Sequence, residues 1–573
     1  MFASLITLYK GNRQTVLILT AIILIGIFLR TYHFSDWLLF EIDQSYDTRI
    51  VSEAVDNGIG NLPLLGPTAG GGRALRLGPA FYYMEYGSAL IFGNTPTGHA
   101  MLVLILSILA IPLFFIFIRR YFSTPLSLAL TALFSMSVYL VLYGRFSWSP
   151  NVLPFLILLS FYALLRSVSE TETKRDRWFL IATTAITITS QIHFNAFFTI
   201  PTITLLFLLY KRPRFAWKTW VIALGIVTLI YSPMILSDIN TGGENIGFFL
   251  KKLSKSGDPL RGLVRKSILD VQYTASGYFF VNSGIDRITG GRLKAYGFQN
   301  DANLPWRILA IILFCTQAVI LVRNIIQEKM KDKKDFLVLV LLWVGIPFAY
   351  FYSLLSSNFQ IYPRFYLLIA PVTIILLGFL LEKLQPERSA SRNIFFISIL
   401  FILLIPNLTR IGGHFLQLND PTKNAVITET EDIFPNDKRL TLQEQLVITD
   451  YLVSKQTGNH YPIYISTYHE YDPMFWYHLN RRGIAYFDSI SYDTLYAEGN
   501  YFLIQYPTDG TRGIEKAFNI IEEKKFGTLT VYTLTPDDGK IRILPAEVQK
   551  REKSEQTIQI QQLKTWNSLL DGK

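Results

Sequence analysis

Long apolar segments, separated by short polar stretches, dominate the first 411 residues of the chain. A helix that crosses a membrane needs roughly 20 mostly apolar residues, and eleven segments reach or approach that length. They cover residues 15–30, 98–118, 125–143, 150–166, 178–193, 195–210, 219–237, 305–323, 336–355, 364–382 and 393–411. The pattern predicts a polytopic α-helical membrane protein with about eleven transmembrane helices. The first segment lacks a small-residue cleavage site and is expected to be an anchor rather than a signal peptide.

One further apolar segment, residues 79–93, is short, contains Glu85 and begins after Gly78-Pro79. It either crosses as a twelfth span or lies at the membrane interface. If it does not cross, the short loops on one side of the membrane are basic and those on the other side carry few charges. The positive-inside rule predicts this distribution. The interfacial alternative is therefore preferred.

The basic short loops would all lie on one side of the membrane, which the positive-inside rule assigns to the cytoplasm. They carry Lys10, Arg13, Arg119, Arg120, Arg166, Lys174, Arg175, Arg177, Lys211, Arg212, Arg214, Lys218, Arg323, Lys329, Lys331, Lys333, Lys334, Lys383, Arg388 and Arg392. The N-terminus is then cytoplasmic, and residues 31–97, 238–304 and everything after about 411 are extracytoplasmic. The expected location is the plasma membrane, with the bilayer itself as a partner.

Composition agrees with this interpretation. Only 17% of the residues are charged and 50% are hydrophobic, whereas soluble domains carry about 25% charged residues. The net charge of +11 is accounted for by the cytoplasmic loops, so no nucleic-acid partner is expected. Cys315 is the only cysteine, which excludes an intramolecular disulfide.

The chain becomes polar after residue 411, and residues 412–539 are predicted to form a small extracytoplasmic α/β domain. Thr441 and Glu444 form a capping-box pattern that predicts a helix to about Lys455. Residues 462–468, 501–506 and 528–534 read as strands and residues 513–525 as a helix. Residues 540–573 are predicted to be a loose polar tail.

Acidic residues are crowded just after the first span, in the sequence EIDQSYD. Asp43 and Asp47 are four residues apart, so on a helix they share a face and repel each other. Such repulsion favours either a proton-accepting carboxylate or a bound cation. The alternative is a solvated loop whose acidic residues only favour the start of a helix.

Other candidate residues lie in the predicted outer loops. Arg73 and Arg76 lie in a Gly- and Pro-rich loop that leads into Tyr82 and Tyr83. Backbone amides of such a loop can bind phosphate, but the pattern by itself favours a plain surface loop. Three further outer helix ends supply polar and aromatic side chains: Arg145, Trp148 and Asn151; Tyr362 and Arg364; and His193. Guanidinium geometry suits phosphate, although an interfacial arginine also anchors helices and a lone histidine is more often structural.

Four short motifs follow one another on the predicted outer side: FEIDQSYD, LLGPTAGGGRALRLGPAFYY, RFSWSPN and PRFYLLIAP. In their order and shared sidedness they resemble the GT-C fold glycosyltransferases that use polyprenyl-phosphate donors, specifically bacterial glycosyltransferase family 39. This group is similar to protein O-mannosyltransferases and to the aminoarabinose transferases of lipid A. Over residues 10–411 the architecture also resembles that family.

The resemblance implies an enzyme that transfers a sugar from a polyprenyl-phosphate donor to an acceptor hydroxyl on a protein, lipid or glycan, with inversion and without a required cofactor. Asp43 would be the general base. The donor phosphate would be bound by Arg364, Arg145, His193 and Arg76. Sugar or acceptor would be held by Gln44, Asp47, Tyr82, Tyr83, Trp148, Asn151 and Tyr362. A divalent metal could bind through Asp43 and Asp47, but basic phosphate partners make it unnecessary.

Three departures from the family pattern affect these roles. Gln44 and Asn151 stand where many relatives have acidic residues, and a Lys-Pro-Pro-Leu stretch is replaced by Leu77-Gly78-Pro79-Ala80, so Arg76 or Arg73 would substitute for the lysine. The competing function is a transporter or flippase of lipid-linked sugars, which predicts functional charges in the middle of several spans. A third is a non-catalytic assembly subunit whose outer domain binds a partner.

Overall fold

The computed structural model describes residues 13–68, 75–254, 262–285, 304–356, 361–419, 440–467, 471–487, 494–496, 498–505, 514–527, 529–537, 539, 542–544 and 563–570. Arg73 and most of the predicted tail lie outside these residues.

Between Arg13 and Asn240, the described residues form ten helices, with 3-10 turns at Ile59–Asn61 and Ser149–Val152. They are α1 Arg13–Thr31, α2 Ile42–Asn57, α3 Ala80–Phe92, α4 Pro96–Ile118, α5 Thr124–Met136, α6 Val138–Tyr143, α7 Leu153–Val168, α8 Arg175–Ile192, α9 Phe194–Lys211 and α10 Trp217–Asn240. Six more complete the helical part: α11 Glu244–Ser254, α12 Leu263–Ser283, α13 Leu304–Gln327, α14 Lys331–Ser356, α15 Ala370–Leu384 and α16 Ser389–Asn419.

Eight helices among the described residues are long and apolar enough to cross a membrane. They are α1, α4, α7 with the 3-10 turn before it, α9, α10, α13, α14 and α16. The multi-pass membrane protein predicted from hydropathy is therefore confirmed. The exact number of eleven crossings stays a prediction, because three of the predicted spans have a different form.

Those three spans are helical but interrupted or polar. Residues 125–143 form α5 and α6, which are separated at Ser137, where the backbone is extended at φ −60° and ψ 122°. Residues 364–382 begin as a 3-10 helix, Pro363–Leu368, before α15. The helix α8 is continuous, but Thr, Ser and Gln residues lower its hydropathy.

The ambiguous segment at 79–93 forms the helix α3, which has only 13 residues. At 1.5 Å per residue it is about 20 Å long, too short for a hydrocarbon core of about 30 Å. Its length agrees with the preferred alternative, in which this segment does not cross.

The described part of the predicted outer loop at 238–304 contains the helices α11 and α12. The longer one, α12, packs against α13 and α14. Tyr278, Phe280 and Val281 on it are at most 3% exposed. Because short polar gaps separate moderately apolar stretches here, hydropathy alone underestimated how deeply this segment is buried.

The basic loops meet at one end of the helical bundle. Oγ of Ser169 donates to the Asp332 carboxylate at 2.6 Å, and Lys331 pairs with Glu170 at 2.9 Å. Lys211 at the end of α9 also forms an ion pair with Asp335 at the start of α14. These contacts place loops of the predicted cytoplasmic set on a common face.

The C-terminal part contains a small mixed α/β domain, as predicted. Its helices are α17 Leu442–Gln456 and α18 Asp472–Arg481, and a short helix, α19 Trp566–Leu570, ends the described chain. Its strands are β1 Ile463–Thr467, β2 Tyr486–Phe487, β3 Thr494–Tyr496, β4 Asn500–Gln505, β5 Phe518–Phe526, β6 Leu529–Pro536 and β7 Arg542–Leu544. The main sheet has the order β2-β1-β4-β6-β5, and β3 pairs with β7 separately.

The predicted helix at 513–525 is wrong, because most of this segment is strand β5. It pairs antiparallel with β6 through a turn at Gly527, whose φ is +56°. Glu523, Lys524 and Lys525 favour a helix by propensity but remain exposed on this edge strand. Cross-strand pairing with β6 therefore outweighed the local preference.

Asn407 of α16 joins the break between α5 and α6 to its surroundings. Its Oδ1 accepts the backbone N–H of Val138 at 2.8 Å, and its Nδ2 donates to the carbonyl oxygen of Asn282 at 3.1 Å. The side chain is completely buried. Because the N–H of Val138 starts a new helix, it has no partner within the helix.

We expect Asn407→Ala to lower the free energy of unfolding by about 1–3 kcal/mol, because it leaves buried backbone groups unpaired. Thermal unfolding in detergent measures this as a lower Tm. Asn240→Ala is the control, since the exposed Asn240 amide bonds only to Leu236 in its own helix. Equal Tm values for the two variants would contradict the role given to Asn407.

Candidate active site

Asp43 lies in the first turn of α2, and a capping box fixes the start of that helix. Glu41 is extended at φ −118° and ψ −162° just before the helix, and its N–H donates to Oε1 of Gln44 at 3.0 Å. A capping box satisfies backbone donors that a helix start leaves without partners. Local sequence therefore fixes the start of the helix on which Asp43 lies.

The outer domain holds the residues that precede Asp43. Leu39 and Thr441 form an antiparallel bridge between the first outer segment and the start of α17. Nε2 of the fully buried Gln445 donates to the carbonyl oxygen of Phe40 at 2.8 Å. The α/β domain is thus packed directly behind the turn that carries Asp43.

Arg364 lies on a surface of aromatic rings next to Asp43. Its guanidinium carbon is 4.5 Å from the centre of the Tyr362 ring and 5.1 Å from that of Trp148. Aromatic faces attract a cation without neutralising it. The 3-10 turn Pro363–Leu368 thus directs a guanidinium charge towards the carboxylate.

The Asp43 side chain is exposed to solvent, yet enough protein surrounds it to raise the pKa of its carboxyl. We interpret this combination as a crevice at the protein surface. Burial raises the pKa of Asp43, whereas the charge of Arg364 and hydrogen bonding from Trp148 lower it, and the net direction is upward. The crevice therefore contains a carboxylate that is more basic than an ordinary aspartate, with a cation beside it.

His193 joins this cluster from the junction between α8 and α9. Its ring centre lies 5.6 Å from that of Phe365, and it is near enough to Arg364 for their charges to interact. Nδ1 of His193 accepts the backbone N–H of Asn195 at 3.3 Å. In the neutral imidazole this places the proton on Nε2, which leaves that nitrogen as a hydrogen-bond donor.

A second, more deeply buried cluster forms around Asp47. The Tyr82 hydroxyl donates to Oδ1 of Asp47 at 2.7 Å, and the Arg76 guanidinium lies near both groups. Burial and the nearby Glu85 raise the pKa of Asp47 well above its ordinary value, although Tyr82 and Arg76 act in the opposite direction. Asp43 is close enough to add to this upward effect, so the two clusters are coupled.

A glycine contact supports the hairpin that carries Arg76. Gly66 lies against the carbonyl of Gly78, so closely that an added Cβ would overlap with it. The N–H of Gly66 donates to the carbonyl of Leu77 at 2.8 Å, and Nη1 of Arg76 donates to the carbonyl of Gly66 at 3.2 Å. The Gly-Pro pairs of this loop therefore serve to fold it back on itself.

Glu85 and His99 form a buried pair behind Asp47 that the sequence patterns did not assign to the site. Oγ of Ser147 donates to Oε1 of Glu85 at 2.8 Å, and Nδ1 of His99 lies 3.4 Å from the same oxygen. Glu85 follows Tyr82 by three residues on α3, so both occupy one helix face. That spacing is the signal that could have identified Glu85.

Arg145 has a different environment from the one predicted. Its Nη1 donates to the carbonyls of Leu29 and Arg30, at 3.0 and 2.9 Å, and its Nη2 donates to that of Tyr32 at 2.7 Å. These are terminal carbonyls of α1, which lack helical partners. Arg145 therefore caps α1, and no described contact connects it with Asp43.

Three other predicted substrate residues have structural contacts. Oε1 of Gln44 is used in the capping box, and Nδ2 of the buried Asn151 donates to the Phe146 carbonyl at 2.9 Å. The Tyr83 hydroxyl donates to the carbonyl of Pro63 at 3.1 Å.

The structure thus groups the predicted site residues in two neighbouring clusters. One contains Asp43, Trp148, Tyr362, Arg364 and His193, and the other contains Asp47, Tyr82 and Arg76.

Within the part of the chain that the structure describes, no group of three or more His, Cys, Asp or Glu side chains is arranged to hold a metal ion. Asp47 is bonded to Tyr82 rather than directed with Asp43 at a common point. The arrangement offers instead a basic carboxylate, a guanidinium and an imidazole donor around one crevice. This set can accept a proton and stabilise a developing anion.

The raised pKa of Asp47 predicts a pH-dependent stability. The unfolded carboxyl ionises near pH 4, while the folded one keeps its proton to a higher pH, so stability falls as pH rises from about 4 through the folded pKa. We expect Asp47→Asn to unfold at a higher Tm than wild type at pH 7 and to lose less stability between pH 5 and pH 7.

Scanning fluorimetry in detergent measures how the Tm of each protein changes between pH 5 and pH 7. Glu53→Gln is the matched control, because Glu53 is exposed on the same helix, α2. A slope for Asp47→Asn as steep as that of wild type would show that Asp47 does not titrate in this range.

Comparisons with known proteins agree with the fold and with the motifs. Residues 77–236 match the model of the family described as dolichyl-phosphate-mannose-protein mannosyltransferase. Two crystal structures of ArnT from Cupriavidus metallidurans, one in the apo state and one bound to undecaprenyl phosphate, are each similar to this chain with a TM-score of 0.51 and 12% sequence identity. Each match covers 90% of this chain and 97% of ArnT.

Among curated proteins, no sequence matches significantly. The family match covers the segment from Leu77 to α10, which contains Tyr82, Trp148 and His193. The structural match extends the likeness in fold to 90% of this chain. The resemblance that the outer-loop motifs predict is thus confirmed, and the chain has the GT-C fold of membrane glycosyltransferases.

Proposed function

We propose that this protein transfers a sugar from a polyprenyl-phosphate donor to an acceptor hydroxyl, at the extracytoplasmic face of the plasma membrane. The observation that carries the proposal is the pairing of Asp43 with Arg364 in one crevice. Two kinds of group needed for glycosyl transfer, a base and an anion-stabilising cation, thus lie side by side between the helical bundle and the outer domain.

The comparisons support the class of donor. The family that matches residues 77–236 is described by a mannosyl donor carried on dolichyl phosphate. ArnT, similar in fold over most of its length, has a structure with undecaprenyl phosphate bound. A donor of this type has a phosphate at the membrane surface and a prenyl chain in the lipid, which suits a crevice at the mouths of helices.

In the proposed reaction Asp43 accepts the proton of the acceptor hydroxyl. The acceptor oxygen forms a new bond to the anomeric carbon of the sugar, and the bond from that carbon to the donor phosphate breaks. The electron pair of the broken bond leaves with the phosphate. Because one displacement completes the reaction, the anomeric configuration inverts. To act as base, Asp43 needs to approach the hydroxyl within about 2.6–3.2 Å.

Arg364 would stabilise the negative charge that develops on the leaving phosphate, and His193 would donate a hydrogen bond through Nε2. Arg76, beside Asp47 and Tyr82, is the second candidate cation. Arg145 would stabilise the end of α1 through its contacts with backbone carbonyls, and we assign it no direct contact with the phosphate. Trp148 and Tyr362 would orient the Arg364 guanidinium through their ring faces.

The same geometry supports the proposed orientation. The residues around Asp43 lie at the ends of helices opposite to the ends that carry the basic loops. The helix α4 is an example of a span that leads to a basic loop: it runs from Pro96 to Ile118, and Arg119 follows as its C-cap. With the basic loops in the cytoplasm, the N-terminus is cytoplasmic and the outer domain extracytoplasmic. The acceptor would then be a protein, lipid or glycan of the cell envelope.

The requirement for a metal is also a matter for experiment. We propose that the reaction needs none, since Arg364, Arg76 and His193 can stabilise the phosphate. Transfer should then continue at an undiminished rate when EDTA is added. A loss of activity that added Mg²⁺ or Mn²⁺ restores would instead assign a cation to Asp43 and Asp47.

A transporter of lipid-linked sugars is the competing function. It predicts charged residues in the middle of spans, and Glu85, which lies in the apolar segment 79–93, is a charged residue that could serve it. In the structure Glu85 lies on the short helix α3, bonded to Ser147, and it is part of the network behind Asp47. Its position therefore favours a role at the transfer site.

Asp43→Asn should abolish transfer without affecting insertion or folding. Removal of a general base costs typically 10²- to 10⁴-fold in rate. Membranes that contain the variant would be incubated with undecaprenyl-phosphate donors carrying radiolabelled sugars, and label reaching envelope acceptors would be counted. Glu53→Gln, from the same helix, should transfer normally. Wild-type rates for Asp43→Asn would remove Asp43 from the mechanism.

Arg364→Gln should change both the rate and its pH dependence. Loss of a cation directed at the leaving group costs about 10²- to 10³-fold in kcat. Because the charge of Arg364 lowers the pKa of Asp43, its removal should raise that pKa further and shift the acidic limb of the pH–rate profile to higher pH.

Arg364→Lys separates the two effects, since it keeps the positive charge but loses the planar fork. Its acidic limb should stay near that of wild type while its rate falls. An acidic limb at the same pH in wild type, Arg364→Gln and Arg364→Lys would show that Arg364 does not interact with the catalytic base.

A further inference from the structure

The C-terminal segment of the chain, residues 563–570, returns to the first outer loop. Thr565 and Pro63 form an antiparallel bridge. The N–H of Leu64 donates to the carbonyl of Lys564 at 2.9 Å, and the N–H of Trp566 donates to the carbonyl of Leu62 at 3.3 Å. About 500 residues thus separate two segments that bond as neighbouring strands do.

Trp566 connects the segment to α3. Its indole Nε1 donates to the Tyr83 hydroxyl at 2.8 Å, and that hydroxyl donates in turn to the carbonyl of Pro63 at 3.1 Å. Burial raises the pKa of Tyr83 to about 12, so the hydroxyl keeps its proton and remains a donor at neutral pH. The chain of donors therefore has a single direction, from Trp566 through Tyr83 to Pro63.

Close packing accompanies these bonds. A Cβ added to Gly60 would lie 2.7 Å from Cγ of Asn567, which is closer than non-bonded atoms approach. Nδ2 of Asn567 also donates to Oδ1 of Asn61 at 3.4 Å. The 3-10 turn Ile59–Asn61 is thus fitted to the C-terminal segment.

The loop that receives this segment is the one that supports Arg76. Two residues after Leu64, the N–H of Gly66 donates to the carbonyl of Leu77 at 2.8 Å. The N–H of Leu77 donates to the carbonyl of Pro67 at 3.0 Å. Nη1 of Arg76 donates to the carbonyl of Gly66. The carbonyl of Gly66, which accepts from Arg76, lies two residues after Leu64. If residues 62–64 moved, this carbonyl and the Arg76 guanidinium would therefore be expected to move as well.

We propose that residues 563–570 form a strap that braces the outer loop 59–68 and thereby fixes Arg76 beside Asp47 and Tyr82, with Trp566 as its positioning residue. Trp566 acts through Tyr83 and Pro63 and touches no predicted reacting group. The effect of the strap on the donor rests on the proposed function of Arg76 in phosphate binding; the bracing of the loop does not.

Two shortened chains test the strap in the otherwise complete protein. One ends at residue 562 and lacks the strap, and the matched control ends at residue 570 and lacks only the last three residues. Hydrogen exchange is measured at the amides of Leu64, Gly66 and Leu77. A net loss of 0.5–1.5 kcal/mol per hydrogen bond corresponds to about two- to tenfold faster exchange.

We expect faster exchange at these three amides in the chain that ends at 562 and unchanged exchange in the control. Unchanged exchange in both chains would overturn the bracing role. Because this measurement needs no substrate, it decides the question even if the protein transfers no sugar.

Binding of undecaprenyl phosphate in nanodiscs tests the connection to Arg76. The chain that ends at 562 should bind it with an affinity reduced by about threefold to tenfold, corresponding to one weakened charged contact. Equal affinity, with faster loop exchange, would overturn the connection to Arg76. Tighter binding would overturn it in favour of a cover over the site. Absence of binding by the full-length protein would count against the proposed function and not against the bracing.

Trp566→Phe and Tyr83→Phe provide a test without truncation. Each removes one polar atom of the chain of donors while keeping an aromatic ring. Each variant should speed up exchange at Leu64 and Gly66, and the double variant should add little to either. Fully additive effects would show that the two residues act independently and would exclude Trp566 as the positioning residue for Tyr83.

Discussion

The candidate site depends on the electrostatic relation between Asp43 and Arg364. Burial raises the pKa of the Asp43 carboxyl, and the charge of the guanidinium partly offsets that effect. Trp148 and Tyr362 lie close to the Arg364 guanidinium, with their ring centres 5.1 and 4.5 Å from its central carbon. A carboxylate and a cation are thus placed in the same region of the protein.

That relation is built from segments far apart in sequence. Asp43 is placed by the start of α2 and by the outer domain behind it, whereas Arg364 and His193 come from turns between helices in the bundle. The outer domain is thus part of the construction of the site as well as a surface above it. Packing that fixes such positions to within an ångström is what catalytic geometry requires.

The three arginines considered for phosphate binding show how context divides residues of one type. Arg364 lies among aromatic rings, Arg76 is held by a loop carbonyl, and Arg145 is used to cap α1. Each has the same five donors, yet only the partners in the fold decide whether those donors face a ligand or the terminal carbonyls of a helix. The neighbours Asp43 and Gln44 differ in the same way. The Gln44 side chain accepts a backbone N–H in the capping box, whereas the Asp43 carboxylate interacts with Arg364.

The sequence by itself determined the membrane class, most helix positions and the helix that Thr441 caps, because apolar length and capping patterns are local. Only the tertiary structure decided that Arg145 is a cap, that residues 518–526 are a strand and that residues 563–570 pack against the first outer loop. In each case the deciding hydrogen-bond partners belong to another segment, about 115 residues away for Arg145 and about 500 for the C-terminal segment. Local preference fixes an element only where no distant partner offers a better set of contacts.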